Sequence, residues 1–384
     1  MEQLVRKFTG KLVTQGLVQE GSVLMGGLDA EFVWNQRDTR IAALEKAFSA
    51  LNINSFLLAV PAEPYSSIVS YLSKTCDGAV RPSDSETRTF LHDLPIAVSD
   101  SVDEMVHHLR RRKCVLLPGG AIASCGTVSP EEAFVSFSSA CFATYVKFMS
   151  DCLEWVRQGR IPREAGPVMG KALDMLEMPP VSVPSVMRGP YQSETDVYRA
   201  MAEVGRQTVF HRLVDSHFGN VSVRWNRVLY ISQSGSSLDE LESCIDPCPL
   251  DGSSSAGITA SSELTAHRRI YEETGADVVL HGHPKFCAIL SLDCDDMACQ
   301  IRGRCHTRCE TDRFIGDIPI VPGEVGTGPF GLCNTVPGAM NDHRGVIVFG
   351  HGLFTAGRQD FQDALQHMFD VERMCMEAFI VRVS

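Results

Sequence analysis

SSELTAHRRIYEETGADVVLHGHP, residues 261–284, predicts a helix, a buried strand and a pair of histidines in direct succession. Apolar and semi-polar residues recur between 264 and 271 at the spacing of one helical face. Gly275 stands where a helix commonly ends. The run Ala276–Leu280 has the apolar character of a buried strand, and His281 and His283 follow it directly. The rest of the chain is organised around this stretch.

The two histidines are candidate metal ligands. Residues i and i+2 of a strand point to the same side, so both imidazoles of His281 and His283 face one space. Two converging imidazoles can hold a divalent metal. A His-x-His pair is also found as a surface pair or as a satisfied core pair, so the pair leaves both interpretations open.

A third histidine favours the metal interpretation. Residues 344–350 form an apolar strand that ends at His351, which lies between two glycines. Three neutral imidazoles with an open fourth position are typical of a catalytic zinc site, whereas a structural zinc normally has four protein ligands. The carboxylate of Glu263, brought near by the helix, would move protons there.

Composition places the chain among soluble globular proteins. It has 384 residues, 44% of them hydrophobic, which is enough for two domains. The net charge of -12 argues against nucleic acid or an anionic membrane surface as the main partner. Because no run of 18 apolar residues and no signal-peptide layout is present, we expect a cytoplasmic protein. Most of the fourteen cysteines stand singly in apolar runs, as small hydrophobic residues do.

Alternating helix and strand patterns predict an α/β layered fold in two lobes. We predict a first lobe at residues 1–158, a proline-rich linker at 159–192 and a second lobe at 193–384. The second lobe opens with a helix capped by Ser193. Two short strands with a hairpin between them follow, at 219–224 and 228–232.

At this point the second lobe, about residues 193–383, resembles the class II aldolase/adducin family. The resemblance is carried by five pieces in the family's order along the chain: Gly219-Asn220-Val-Ser222-Val-Arg224, Ser234-Gly235, Ser261-Ser262-Glu263, His281-Gly-His283-Pro284, and Gly350-His351-Gly352 followed by Gly357. It implies a central, mostly antiparallel sheet flanked by helices. Family enzymes make or cleave a C–C bond in small, usually phosphorylated, sugars with a zinc ion.

The resemblance also implies roles for these residues. His281, His283 and His351 would bind one Zn²⁺ or another divalent metal, and Glu263 would be the acid/base. A phosphate or carboxylate of a small anionic substrate would be held by five residues: Asn220, Ser234, Gly235, Ser261 and Ser262. Each serine can equally be a helix cap or a turn residue.

The family leaves the reaction open. The resemblance favours a lyase that acts through an enediolate, with zinc as the Lewis acid. Metal-dependent epimerases and dehydratases are close relatives, and adducin keeps the fold without catalysis. Family aldolases recruit a tyrosine near the C-terminus of a neighbouring subunit, but Met374–Ser384 contains none. Because family members form rings, we expect a homodimer or a homotetramer.

The first lobe has the pattern of a degenerate copy of the second. A shift of 223 residues aligns Leu57 with Leu280 and Pro61 with Pro284, and a shift of 231 aligns Gly126 with Gly357. The same shifts replace the three histidines by Leu58, Val60 and Gly120, and Glu263 by Arg40. We therefore expect a tandem pseudo-repeat whose first lobe has no metal ligands.

A cysteine-rich loop departs from the family pattern. Cys294, Cys299, Cys305 and Cys309 lie within sixteen residues. Four thiolates can hold zinc or an iron–sulfur cluster. Their spacings lack the C-x₂-C pairs of common structural sites, so a second metal, a redox site and free thiols all stay open.

Overall fold

The structure, a computed structural model, describes residues 1–214, 217–255, 258–309, 311–323 and 328–384. It divides into two compact units, Met1–Leu176 and Glu177–Ser384. The division falls within the proline-rich segment at 159–192. That segment also contains a helix, so it is not a continuous irregular linker.

Unit 1 is built from helices on a five-stranded sheet. Its helices are α1 (Glu2–Thr14), α2 (Ile41–Leu51), α3 (Tyr65–Thr75), α4 (Ser85–Leu91), α5 (Val102–Leu109), α6 (Pro130–Arg157) and α7 (Ala165–Asp174). Its strands are β1 (Val23–Leu28), β2 (Phe32–Trp34), β3 (Ser55–Ala59), β4 (Ala79–Val80), β5 (Leu94–Pro95), β6 (Cys114–Leu116) and β7 (Ile122–Gly126). The main sheet has the order β2-β1-β3-β7-β6, and β4 pairs with β5 separately.

The described residues of unit 2 form an eight-stranded sheet. Its helices are α8 (Glu194–Phe210), α9 (Leu264–Thr274), α10 (Lys285–Leu292), α11 (Leu332–Met340) and α12 (Phe361–Val383). Its strands are β8 (Asn220–Trp225), β9 (Val228–Ser232), β10 (Ile245–Pro249), β11 (Val278–Gly282), β12 (Arg313–Ile315), β13 (Ile318–Val321), β14 (Gly345–Val348) and β15 (Leu353–Gly357). The order is β10-β9-β8-β11-β15-β14-β13-β12, and only β13 and β14 pair in parallel.

Helices cover both faces of this sheet, as predicted. On one face, buried residues of α9 and α11 pack with Phe354 and Val279 in a single apolar cluster. On the other face, the Thr355 hydroxyl donates a hydrogen bond of 2.9 Å to the Ala364 carbonyl of α12. Because successive side chains of a strand alternate, Phe354 and Thr355 join the sheet to opposite layers.

The element boundaries follow local sequence signals. Ser193 forms a capping box with Asp196 at the start of α8. Asn226 and Arg227, both with positive φ, make the two-residue turn of the β8–β9 hairpin. Gly275 ends α9 in the left-handed conformation, at the predicted position.

The same sheet recurs in unit 1, which confirms the predicted pseudo-repeat. The order β2-β1-β3-β7-β6 corresponds to β9-β8-β11-β15-β14. Ser55 pairs with Gly126 as Val278 pairs with Gly357, so the strand register reproduces both predicted shifts. Ser124 donates to a carbonyl of α6 as Thr355 does to α12. The two units therefore share one frame and differ in the side chains that it carries.

Some elements escaped the sequence pattern. Strand β10 contains two prolines and lies at the sheet edge, where a missing N–H is tolerated. Helix α11 contains Pro337 and follows a glycine-rich segment. Helix α3 begins after Pro64 without a side-chain cap, so its start has no local capping signal.

Among the described residues, no helix combines the length and the hydropathy that crossing a bilayer requires.

Leu280→Ala is expected to lower the free energy of unfolding of the second lobe by about 2–5 kcal/mol, because Leu280 is fully buried in the central strand β11. Urea denaturation followed by circular dichroism measures this loss. Val381→Ala, at a site that is 78% exposed, is the control, with an expected change below about 0.5 kcal/mol. Equal effects of the two substitutions would contradict the assignment of β11 as a core strand.

Candidate metal centre

Three imidazoles from two distant segments meet at the C-terminal end of β11. His281 is the penultimate residue of the buried strand β11, His283 follows the strand directly, and His351 lies in the turn between β14 and β15. The Nε2 atoms of His281 and His351 are 3.2 Å apart, and those of His281 and His283 are 3.0 Å apart. All three residues are at most 2% exposed. The structure thus brings together the three histidines that the sequence singled out.

The hydrogen bonds of these rings fit a metal rather than a proton-sharing cluster. The Nδ1 atom of His281 lies 3.1 Å from the Leu353 carbonyl, which can only accept, so this Nδ1 carries the proton and Nε2 carries a lone pair. A tetrahedral zinc with bonds of 2.0–2.1 Å separates its nitrogen ligands by about 3.3 Å. The two Nε2 distances from His281, 3.0 and 3.2 Å, are close to that value, and the ligand atoms of all three rings lie within 4.8 Å of one another, so the donor set fits a divalent ion.

Burial keeps His283 in the neutral form that a metal requires. Desolvation lowers the pKa of His283 well below its usual range, and the neighbouring rings of His351 and His281 lower it further. The ring stacks on Phe218, with an interplanar angle of 9°. His281 stacks on Phe354 at 3.9 Å between ring centroids. These aromatic contacts fix the orientation of two of the three rings.

Glu263 places its carboxylate against the histidines. Its Oε1 lies 3.2 Å from His351 Nε2 and its Oε2 lies 3.6 Å from His281 Nε2. The Asn220 side-chain amide donates to Oε2 over 2.8 Å. Burial alone would raise the pKa of Glu263, but its contacts with His281 and His351 and the hydrogen bond from the Asn220 amide bring it below its usual range. These contacts favour the ionised carboxylate beside the three rings.

Glycines beside the histidines are required by shape. A Cβ atom at Gly352 would lie 2.3 Å from the Gly282 carbonyl and 3.0 Å or less from the rings of His283 and His281. A Cβ at Gly219, which has φ of +101°, would lie 2.5 Å from the His281 carbonyl. No side chain fits at these positions, so the motif's glycines let the backbones approach closely enough for the rings to meet.

Two buried polar residues that the sequence pattern did not reveal hold the histidine segments. Glu372 of α12 accepts hydrogen bonds of 3.0 Å from the backbone N–H groups of Phe286 and Cys287, at the start of α10 just after His283. Burial raises the pKa of Glu372 to about 7. The Ser291 hydroxyl accepts a 2.7 Å bond from the Gly350 N–H, next to His351. Only the fold shows these links, because the partners are far apart in sequence.

A second buried network lies one helical turn beyond Glu263. The Ser222 hydroxyl is 2.6 Å from His267 Nδ1 and 2.6 Å from the Tyr271 hydroxyl. Burial lowers the pKa of His267 to about 3, so its ring is neutral. The His267 ring also contacts the edge of Phe354, which stacks on His281. Through Phe354, the network therefore packs against the His281 ring.

The predicted anion-binding residues gather beside Glu263. The Ser261 N–H donates to the Ser232 carbonyl, and the Ser234 N–H donates to the Thr259 carbonyl, which pairs the two segments. The Ser261 hydroxyl accepts from the Glu263 N–H over 3.3 Å. These two backbone N–H groups are thus occupied within the protein. Gly235, with φ of +73°, and the exposed Ser262 complete the group.

The cysteine-rich loop does not provide a second ligand set. Within the described ranges, the three histidines are the single group of three or more side chains whose ligand atoms lie close enough to hold an ion. Cys294, Cys299, Cys305 and Cys309 are free thiols. Burial raises the pKa of Cys305, which disfavours the thiolate form that binds metal. A second metal in this loop therefore finds no support in the geometry.

Comparison with known families identifies the second lobe. Residues 199–379 match the sequence model of the class II aldolase and adducin N-terminal domain. The match includes the three histidines and the carboxylate of the centre described above. The second lobe of the chain therefore belongs to the class II aldolase and adducin family. No curated protein sequence matches the chain.

Several solved structures are also similar to about half of this chain. L-fuculose-1-phosphate aldolase from Thermus thermophilus is 24% identical, with 48% of this chain and 91% of that chain covered and a TM-score of 0.37. A sugar-phosphate aldolase from Thermotoga maritima is 16% identical, with 49% and 94% covered and a TM-score of 0.36. A class II aldolase domain from Thermoplasma acidophilum is 17% identical, with 52% and 100% covered and a TM-score of 0.34.

His283→Ala is expected to abolish metal binding by the purified protein, because the two remaining imidazoles do not complete the three-histidine ligand set of the ion. Elemental analysis after dialysis measures the metal content per chain. His343→Ala, at a half-buried histidine outside the centre, is the matched control and is expected to keep the metal. Full metal content in the His283 variant would remove this residue from the ligand set.

His267 is expected to make the stability fall in acid. Its folded pKa of about 3 is depressed from about 6.5 in the unfolded chain, so the unfolded state binds the extra proton. Its contribution is complete above pH 6.5 and is lost as the pH falls toward 3, at up to about 1.4 kcal/mol per pH unit. Urea denaturation at pH 7, 6 and 5 is expected to give a shallower pH dependence for His267→Gln than for the natural protein. Parallel curves for the two proteins would refute the buried neutral ring.

Proposed function

We propose that the second lobe is a zinc-dependent, aldolase-type C–C lyase that acts on a small, phosphorylated sugar or hydroxy-carbonyl substrate through an enediolate. The observation that carries this proposal is the meeting of three buried imidazoles with an ionised Glu263, 3.2 Å from the His351 Nε2 atom. Three histidines leave a tetrahedral ion one open position for a substrate oxygen. Membership of the class II aldolase and adducin family supports the same reaction class.

Each protein group has a distinct task in this proposal. His281, His283 and His351 would hold the ion, which supplies Lewis-acid stabilisation of negative charge on the substrate oxygens. Glu263 would carry the proton to or from the substrate carbon. Asn220 positions Glu263, since its amide donates to Oε2 and leaves Oε1 toward the histidines. Zinc is the proposed cofactor, and another divalent metal would fit the same three nitrogens.

The substrate's phosphate or carboxylate would lie beside Glu263. In this proposal Ser234, Gly235, Ser261 and Ser262 would line this position, together with Asn220, whose amide donates to Glu263. Since the N–H groups of Ser234 and Ser261 and the Ser234 hydroxyl already donate within the protein, the hydroxyl groups of Ser261 and Ser262 and the backbone at 235 and 262 would take the anion. The overall charge of -12 gives no general attraction for anions, so a local site of this kind is needed.

Two other functions use the same family frame. An epimerase or dehydratase would employ the same metal and a different proton-transfer path. A non-catalytic, adducin-like module would have no use for the buried charge of Glu263, which is costly to bury without partners. The retained triad and carboxylate therefore favour chemistry. Assembly as a homodimer or homotetramer is proposed from the family alone.

Glu263→Gln is expected to keep the metal and to lower turnover by about 10²–10⁴-fold, because the amide cannot transfer the proton. Glu242→Gln, at an exposed carboxylate of the same lobe, is the control and is expected to keep normal turnover. Elemental analysis and steady-state kinetics give the two readouts. Normal turnover in the Glu263 variant would exclude this residue as the acid/base.

The reaction class is assigned by incubating the metal-loaded protein with a series of ketose and aldose phosphates and following the products by NMR. Two carbon fragments from one sugar phosphate support the lyase. A stereoisomer or an eliminated water would instead identify an epimerase or a dehydratase. A metal-loaded protein that converts none of the sugar phosphates would favour the adducin-like alternative.

A further inference from the structure

Unit 1 contains a cavity at the position that corresponds to the metal centre of unit 2. Arg40 is the N-terminal cap of α2, as Glu263 is of α9, and both helices have eleven residues. Leu58 occupies the place of His281, because Leu58 pairs with Leu24 and Ala123 as His281 pairs with Asn220 and Phe354. Arg40 and Leu58 both line this cavity of about 300 Å³. Unit 1 therefore has a cavity at the position where unit 2 has its candidate metal ligands.

The residues around this cavity do not form a three-histidine metal site like that of unit 2. The position of His351 is taken by Gly120, which has φ of +86° and whose Cβ would lie 2.8 Å from the Ser66 carbonyl. A histidine therefore does not fit there without a shift of the backbone. The position of His283 is taken by Val60, which is 45% exposed. The cavity therefore suits a ligand other than a metal ion.

The walls of the cavity are apolar and its mouth is charged. Leu44, Leu58, Met105 and Leu117 form the floor and are each at most 5% exposed. Arg40 and Asp100 lie on the same rim, and each attracts the other electrostatically. A cavity of this size suits a small organic molecule. Its occupant needs an apolar body and a polar head.

The charges of the rim specify that head. Arg40 uses Nε and Nη2 to hold Asp38 at 2.9 and 2.7 Å, which leaves Nη1 without a partner within the described residues. Asp100 makes no hydrogen bond to another described residue. A simple anion would meet the negative charges of Asp38 and Asp100, and a simple cation would meet Arg40. A molecule that carries both charges satisfies the rim on both sides.

We propose that this cavity of the first lobe binds a free α-amino acid with an apolar side chain. The carboxylate would lie on Nη1 of Arg40 and the ammonium group on Asp100, while the side chain packs against Leu58 and Met105. The site requires no metal and is independent of the proposed chemistry of the second lobe. A lobe that lost its metal ligands thereby acquires a binding role of its own.

Calorimetric titration of the full chain with L-leucine tests the proposal. Two analogues separate the charges: 4-methylpentanoate lacks the ammonium group and 3-methylbutylamine lacks the carboxylate. We expect saturable binding of leucine and at least about tenfold weaker binding of each analogue, the effect of one lost charged hydrogen bond. Binding is expected to persist in His283→Ala, which separates this site from the metal centre.

Substitutions at the rim locate the site. Arg40→Gln and Asp100→Asn are each expected to weaken leucine binding at least about tenfold. Arg37→Gln and Asp103→Asn remove exposed charges of the same sign outside the cavity and are expected to leave binding unchanged. Asp100 is exposed, so its variant tests the site even where loss of the Arg40–Asp38 pair disturbs the fold.

Three results would overturn the proposal. The first is the absence of saturable leucine binding up to the solubility limit. The second is leucine binding that neither rim substitution weakens. The third is tighter binding of either singly charged analogue than of leucine, which would show that the head is not a zwitterion.

Discussion

The candidate site of the second lobe depends on nitrogen lone pairs of three buried imidazoles that converge on one point. His281 donates its one ring proton to the Leu353 carbonyl, so its Nε2 lone pair faces the Nε2 atoms of His283 and His351. Nearby, a buried carboxylate at Glu263 carries negative charge. Nitrogen lone pairs and a carboxylate at this spacing are stabilised by a cation between them. The neighbouring glycines, the anchoring Glu372 and the stacked Phe354 are all arranged so that these atoms converge.

The sheet shared by the two lobes does not determine which side chains lie at the end of its central strand. The strand order and the register agree between the two sheets, and so does the link from the last sheet strand to the long helix behind it. The chemistry at the same place differs completely, with Arg40 and Leu58 in one lobe and Glu263 and His281 in the other. At this place unit 1 has a cavity lined by Arg40 and Leu58.

Elements that depend on contacts between residues close in sequence could be predicted, and those that depend on distant contacts could not. Helix α8 was predictable because Ser193 and Asp196 cap it locally, and the β8–β9 hairpin was predictable because its turn is short. Strand β10 was missed because its prolines disfavour a strand except at an edge, and edge position is a property of the whole sheet. Glu372 and Ser291 were missed because their partners lie 59 or more residues away.

The sequence by itself determined the residue types of the centre and their order, since motif spacing places His281 and His283 on one side of a strand and Glu263 at the start of a helix. It also predicted the repeat, because shifts of 223 and 231 residues align corresponding strands of the two sheets. Only the tertiary structure decided that His351 comes within 3.2 Å of His281. It alone showed that Asn220 holds Glu263 and that the cysteine loop, in the part of the chain that the structure describes, forms no ligand set. These facts depend on the pairing of β11 with β15 and β8, which fixes distances between segments that no local pattern relates.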